Sequence, residues 1–171
     1  MVSSEKTILS AKDIAVIAIL AVVLFTQEEV LTFLPNVQLT VFLIVLYTKK
    51  LGFKKTTIII LIHVILDNLV MGSLSFFYTP FMFIGWELIP VLLSTIFKRL
   101  NASLSLALAG ILFSFLYCWI YIIPNILLTK INVVAYLASD FLFEIILACS
   151  SFVSILWLYE PCSKVFDKLL K

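Results

Sequence analysis

Six apolar stretches separated by short polar breaks occupy most of the chain between Ile14 and Tyr159, and they leave few folds open. They run over Ile14–Leu34, Val37–Thr48, Thr56–Met71, Pro80–Phe97, Leu104–Ile123 and Val134–Tyr159. Within them apolar residues follow one another directly, as in Thr57-Ile58-Ile59-Ile60-Leu61-Ile62. That is neither the 3.6-residue spacing of a surface helix nor the alternation of a half-buried strand. A transmembrane β-barrel requires such alternation and is excluded. The 171 residues are 63% hydrophobic and 13% charged, against about 45–50% and about 25% in soluble domains. At about 20 residues per crossing, the sequence predicts an all-α integral membrane protein. The expected form is a six-transmembrane-helix bundle in a single domain over residues 1–171.

Charge placement orients that bundle. Lys6 and Lys12 precede the first run, and Lys49, Lys50, Lys54 and Lys55 follow the second. Lys98 and Arg99 follow the fourth, and Lys164, Lys168 and Lys171 follow the sixth. Eleven of the twelve basic residues therefore fall on one side, with Lys130 alone on the other. Basic residues near span ends stay cytoplasmic, so both termini are expected inside (N-in/C-in). Met1 to Asp13 is polar and no small-residue cleavage site follows the first run, so no cleavable signal peptide is expected. The second and third runs are short, at 12 and 16 residues, and read as extending into their neighbours or crossing a thin region.

The polar residues inside or beside the runs are the candidates for function. Leu34-Pro35-Asn36-Val37-Gln38 breaks the helix where the first span reaches the outer face. Backbone that leaves a helix there must be buried in protein or face water. Asp67 follows His63 by four residues and adjoins Asn68, Glu87 follows Trp86, and Asp140 and Glu144 share one helical face. A charge at the helix centre costs about 2.5–3.5 kcal/mol on insertion scales, so it faces a cavity or a partner. Aromatics, among them Tyr78, Trp86, Tyr117, Trp119 and Tyr121, gather in the same outer half, where an interfacial belt also explains them. Asn125 follows Pro124 at the outer end of the fifth run, where a helix stop is the plainer reading. The substrate-binding candidates are thus Asn36, Gln38, Asp67, Asn68, Trp86, Glu87, Tyr121, Asn125, Asp140 and Glu144. Cys118, Cys149 and Cys162 have no paired spacing and read as small apolar residues, and no metal site is expected. On the first helix, Ala11, Ala15 and Ala18 line one face, and small residues four apart let another helix approach closely.

Taken together, the six runs with both ends inside, Ala11–Ala18 and Pro35-Asn36-Val37-Gln38 resemble the substrate-binding S components of energy-coupling factor (ECF) vitamin transporters. The resemblance covers essentially the whole chain. It implies high-affinity capture of a vitamin or precursor in an outward-facing pocket of a bacterial plasma-membrane protein. It also implies docking through Ala11, Ala15 and Ala18 on a membrane scaffold subunit driven by two cytoplasmic ATPases. The chain departs from the family in its four glycines and sparse alanine stripe. No GxxxxGK[ST] motif is present, so the chain is not expected to be an enzyme or to hold a cofactor. ATP would be hydrolysed by the partners, and membrane lipid, not nucleic acid, is the other expected contact. An acid-lined pocket favours a neutral or cationic ligand: a cobalamin, a thiamine-type pyrimidine or a queuosine precursor.

Two other readings compete. Glu28-Glu29 and His63-x-x-x-Asp67 resemble pieces of glutamate-dependent prenyl-protease-like intramembrane hydrolases. However, the next base after the pair is Lys49, and one histidine cannot build a two-histidine site. A self-contained ion-coupled secondary transporter using Asp67, Glu87 and Glu144 is the stronger alternative.

Overall fold

The computed structural model describes residues 9–72 and 74–169, so Lys6 and Lys171 of the charge pattern lie outside the described residues. The chain is helical, with no strand among the described residues. Its helices are α1 (Ala11–Leu31), α2 (Thr40–Leu51), α3 (Phe53–Val70), α4 (Tyr78–Ser94), α5 (Ser103–Ile120), α6 (Ile122–Thr129) and α7 (Val133–Leu169). Three stretches are long and apolar enough to cross a membrane: α1, the joined α5–α6 segment Ser103–Thr129, and α7. The fourth apolar helix, α4, is shorter. Of the remaining two, α2 has 12 residues and α3 carries Lys54, Lys55 and Asp67.

The first helix starts where its sequence can satisfy free backbone donors. The Ser10 hydroxyl accepts from the Asp13 amide at 3.1 Å, and the Asp13 carboxylate accepts from the Ser10 amide at 3.1 Å. This reciprocal cap closes the first turn. The same carboxylate meets the Lys55 ammonium at 2.6 Å, tying the start of α1 to the start of α3.

The shortness of α2 has a packing explanation. All residues from Thr40 to Thr48 are buried, and α2 touches α1, α3, α4, α5 and α7. A helix apolar on every side must be surrounded; here the surroundings are other helices rather than lipid. Twelve residues rise about 18 Å, short of the roughly 30 Å hydrocarbon core. The segment before it is bonded to α7. The Asn36 amide donates to the Phe143 carbonyl at 3.0 Å, and the Ser150 hydroxyl both donates to the Gln38 carbonyl at 2.9 Å and accepts from the Gln38 amide at 3.2 Å. Asn36 itself has φ +56°, a left-handed conformation that asparagine tolerates.

Between α2 and α3 there is a single residue, Gly52, at φ +80°. On the far side α5 and α7 pack closely: a Cβ on Gly110 would lie 2.5 Å from Ile155 Cδ1, and Ser114 donates to Ser151 at 2.9 Å. Helix α7 has 37 residues and rises about 56 Å. Its last turns lie against the bundle's lysine-rich end, where Phe166 packs on Tyr47 with ring centroids 5.9 Å apart and Asp167 meets Lys50 at 2.7 Å.

Candidate functional site

The bundle has a lysine-rich end, with Lys49, Lys50, Lys54, Lys55, Lys98 and Arg99, and an opposite end where α1 and α3 finish and α2 and α4 begin. At that opposite end lies a polar cavity of about 410 Å³. Its walls are Glu28 from α1, Asp67 and Asn68 from α3, Tyr78 and Met82 from α4, Tyr117 from α5 and the linking Tyr121, with Met71 at the rim. A second cavity of about 260 Å³ shares Glu28 and Met71 with it and is floored by Asn36, Val37 and Gln38.

Helical periodicity aims these side chains inward. Ile17, Ala21 and Leu24 form the buried face of α1, and Glu28 is the next residue on that stripe. On α3 the buried set is Thr56, Ile59, Ile60, His63, Val64, Asp67 and Asn68, so its polar residues sit on its protein-facing side. His63 is wholly buried, and its Nε2 lies 3.2 Å from Glu28 Oε2 without the alignment of a hydrogen bond. Its Nδ1 has no partner.

A hydrogen-bonded junction holds Glu28. Thr40 Oγ1 accepts from the Gln27 amide at 2.8 Å, and its single proton lies within reach of Gln38 Oε1 at 2.8 Å and Glu28 Oε2 at 3.1 Å. Gln27 Oε1 accepts from the Leu39 amide at 2.7 Å. Opposite, Asn68 is fixed by three contacts: it donates to the Val64 carbonyl at 2.8 Å, approaches Met82 sulfur at 3.1 Å and accepts from Thr79 at 2.9 Å. Asp67 is 9% exposed and makes no hydrogen bond through its side chain among the described residues.

The aromatic wall is built from behind. Trp86 is fully buried and stacks on Tyr117 with ring centroids 3.6 Å apart and 16° between planes. Gly85 makes this possible, since a Cβ there would lie 2.8 Å from Tyr117 Cδ2. Tyr117 and Tyr121 share a hydroxyl contact of 3.3 Å, and Tyr78 donates to Asn125 Oδ1 at 3.2 Å.

Of the ten sequence candidates, Asp67, Asn68 and Tyr121 line the larger cavity, and Asn36 and Gln38 line the smaller. Trp86 backs the wall, and Asn125 reaches it through Tyr78. The others lie apart. Glu87 accepts from Thr57 at 2.6 Å, toward the lysine-rich end, because Thr57 stands one turn into α3. Asp140 and Glu144 line neither cavity; Glu144 is 2% exposed with Oε1 unpartnered. Ala11, Ala15 and Ala18 are all exposed on α1. The candidate list omitted Glu28, Tyr78, Met82 and Tyr117, although the α1 stripe through Ala21 and Leu24 points to Glu28.

Two larger hollows, of about 550 and 460 Å³, run along α7 and share Ile145, Cys149 and Val153. They are almost wholly apolar, and in a bilayer such a face meets acyl chains. Among the described residues, no group of three histidine, cysteine, aspartate or glutamate side chains is placed to hold a metal ion. Comparison with protein-family models, curated proteins and solved structures finds no match.

Proposed function

We propose that the chain is a membrane-embedded capture subunit of an ECF-type importer, binding a vitamin or vitamin precursor without energising its transport. The observation that carries the reading is a polar, aromatic cavity closed beneath by a solid helix. Val41, Phe42, Ile44 and Val45 are each at most 2% exposed and fill the centre of the bundle below it. Such a site holds a small molecule, and its onward movement needs a change in the whole bundle. That packing favours capture over an ion-coupled carrier, which needs ionisable groups in sequence across the bilayer.

In this reading the six apolar runs are six crossings, the lysine-rich end is cytoplasmic and the cavity opens outward. The short α2 fits because protein, not lipid, surrounds it. The exposed Ala11, Ala15 and Ala18 supply the scaffold-docking face, and partner ATPases supply the energy. The test is Ala15→Trp. The variant is expected to abolish cellular uptake of the molecule the protein retains through purification, while binding stays within twofold. Unimpaired uptake would remove the docking role of α1.

A further inference from the structure

The larger cavity is lined by carboxyl groups that, among the described residues, no lysine or arginine pairs. Glu28 and Asp67 both line it, and Glu29 beside them buries an oxygen, Oε1, that has no partner. Among the described residues no lysine or arginine comes within 4.0 Å of any of the three; the one basic side chain that does is His63, whose Nε2 lies 3.2 Å from Glu28 Oε2. Thr40 and His63 both approach Glu28 through Oε2, which leaves Oε1 for the cavity. Asp67, nine-tenths buried and without a hydrogen bond, is likewise left to the cavity. Uncompensated carboxylates at this depth are costly, and a bound positive charge relieves them.

The remaining walls narrow the chemistry. Tyr117 presents an aromatic ring backed by Trp86, and tyrosine faces attract cations as well as stacking on rings. The approach of Met82 and Met71 adds polarizable, adaptable surface. The absence of any three-ligand group among the described residues argues for an organic cation over a metal ion. At about 410 Å³ the cavity lies in the lower part of the range for small-molecule sites. With the adjoining 260 Å³ the space suits a ligand of one or two rings.

We propose that the ligand is a small aromatic cation, one ring or two fused rings bearing a protonated amine or a charged ring nitrogen. Its charge is held by Glu28 and Asp67, and its ring lies against Tyr117. His63 is a positioning residue that fixes Glu28. This rests on the capture reading above and selects the nitrogen-rich pyrimidine and deazapurine classes over cobalamin.

The test is to release the small molecule retained by the detergent-purified protein and determine its mass and its electrophoretic charge at pH 7. The same extraction is made from Glu28→Gln and Asp67→Asn, each checked for a wild-type elution profile and melting curve. The expected result is an aromatic cation near one per protein, with occupancy reduced at least tenfold in whichever variants fold. A neutral or anionic molecule, or undiminished occupancy in folded variants, overturns the charge assignment and leaves capture standing. A protein that retains nothing and binds no member of a broad vitamin panel overturns capture itself, and this inference with it.

Discussion

Gln27 shows how much one carboxamide holds in place beside the cavity. Its oxygen accepts from the Leu39 amide at 2.7 Å, serving the backbone at the start of α2. Its nitrogen donates to Thr40 Oγ1 at 2.8 Å and to the Leu24 carbonyl at 3.0 Å. Removing it strands a partly buried N–H, and an unsatisfied buried group costs about 1–3 kcal/mol. Gln27→Ala is therefore expected to lower the melting temperature in detergent and to loosen Glu28, whose Oε2 leans on the same Thr40. An unchanged melt would show that water replaces the amide at no loss. The residue was not singled out from sequence because a glutamine next to two glutamates at a helix end reads as solvated. Its importance comes from a neighbour 12 and 13 positions away.

At the scale of elements, the joint between α2 and α3 governs how the buried helix is presented. Gly52 takes φ +80° and ψ 171°, and a Cβ there would meet nothing within 4 Å. Backbone conformation, not space, therefore demands glycine, since this region is essentially closed to other residues at a cost of about 1–3 kcal/mol. Gly52→Ala is expected to destabilise the bundle by that order, read as a lower denaturation midpoint. A midpoint equal to wild type would mean the joint relaxes freely.

The helical character of the apolar runs was legible, as was the break at Pro35; the break expected at Lys49–Lys50 falls instead at Gly52, because α2 continues through both lysines to Leu51. Part of the inward face of α3 was legible too, because Asp67 follows His63 by four residues and adjoins Asn68; Thr56 joins that face in the structure. The central place of α2 was not: an apolar run reads the same whether lipid or protein surrounds it. The separation of Glu87 from the cavity was likewise hidden, since it depends on the partner helix that Glu87 meets, through Thr57.

For the whole molecule, charge is divided between two ends. Bases crowd one, where Lys50 and Asp167 meet at 2.7 Å and Lys49 donates to the Lys98 carbonyl at 3.2 Å. Acids collect around a cavity at the other, with the packed residues of α2 between them. On the capture proposal, a molecule so arranged holds a ligand at one face and needs a partner to pass it on. The most direct measurement reconstitutes the protein by itself into liposomes and follows the small molecule it retains through purification. Stoichiometric binding is expected, with no accumulation in the lumen under imposed proton or sodium gradients. Accumulation driven by either gradient would contradict the capture reading and establish a self-contained carrier.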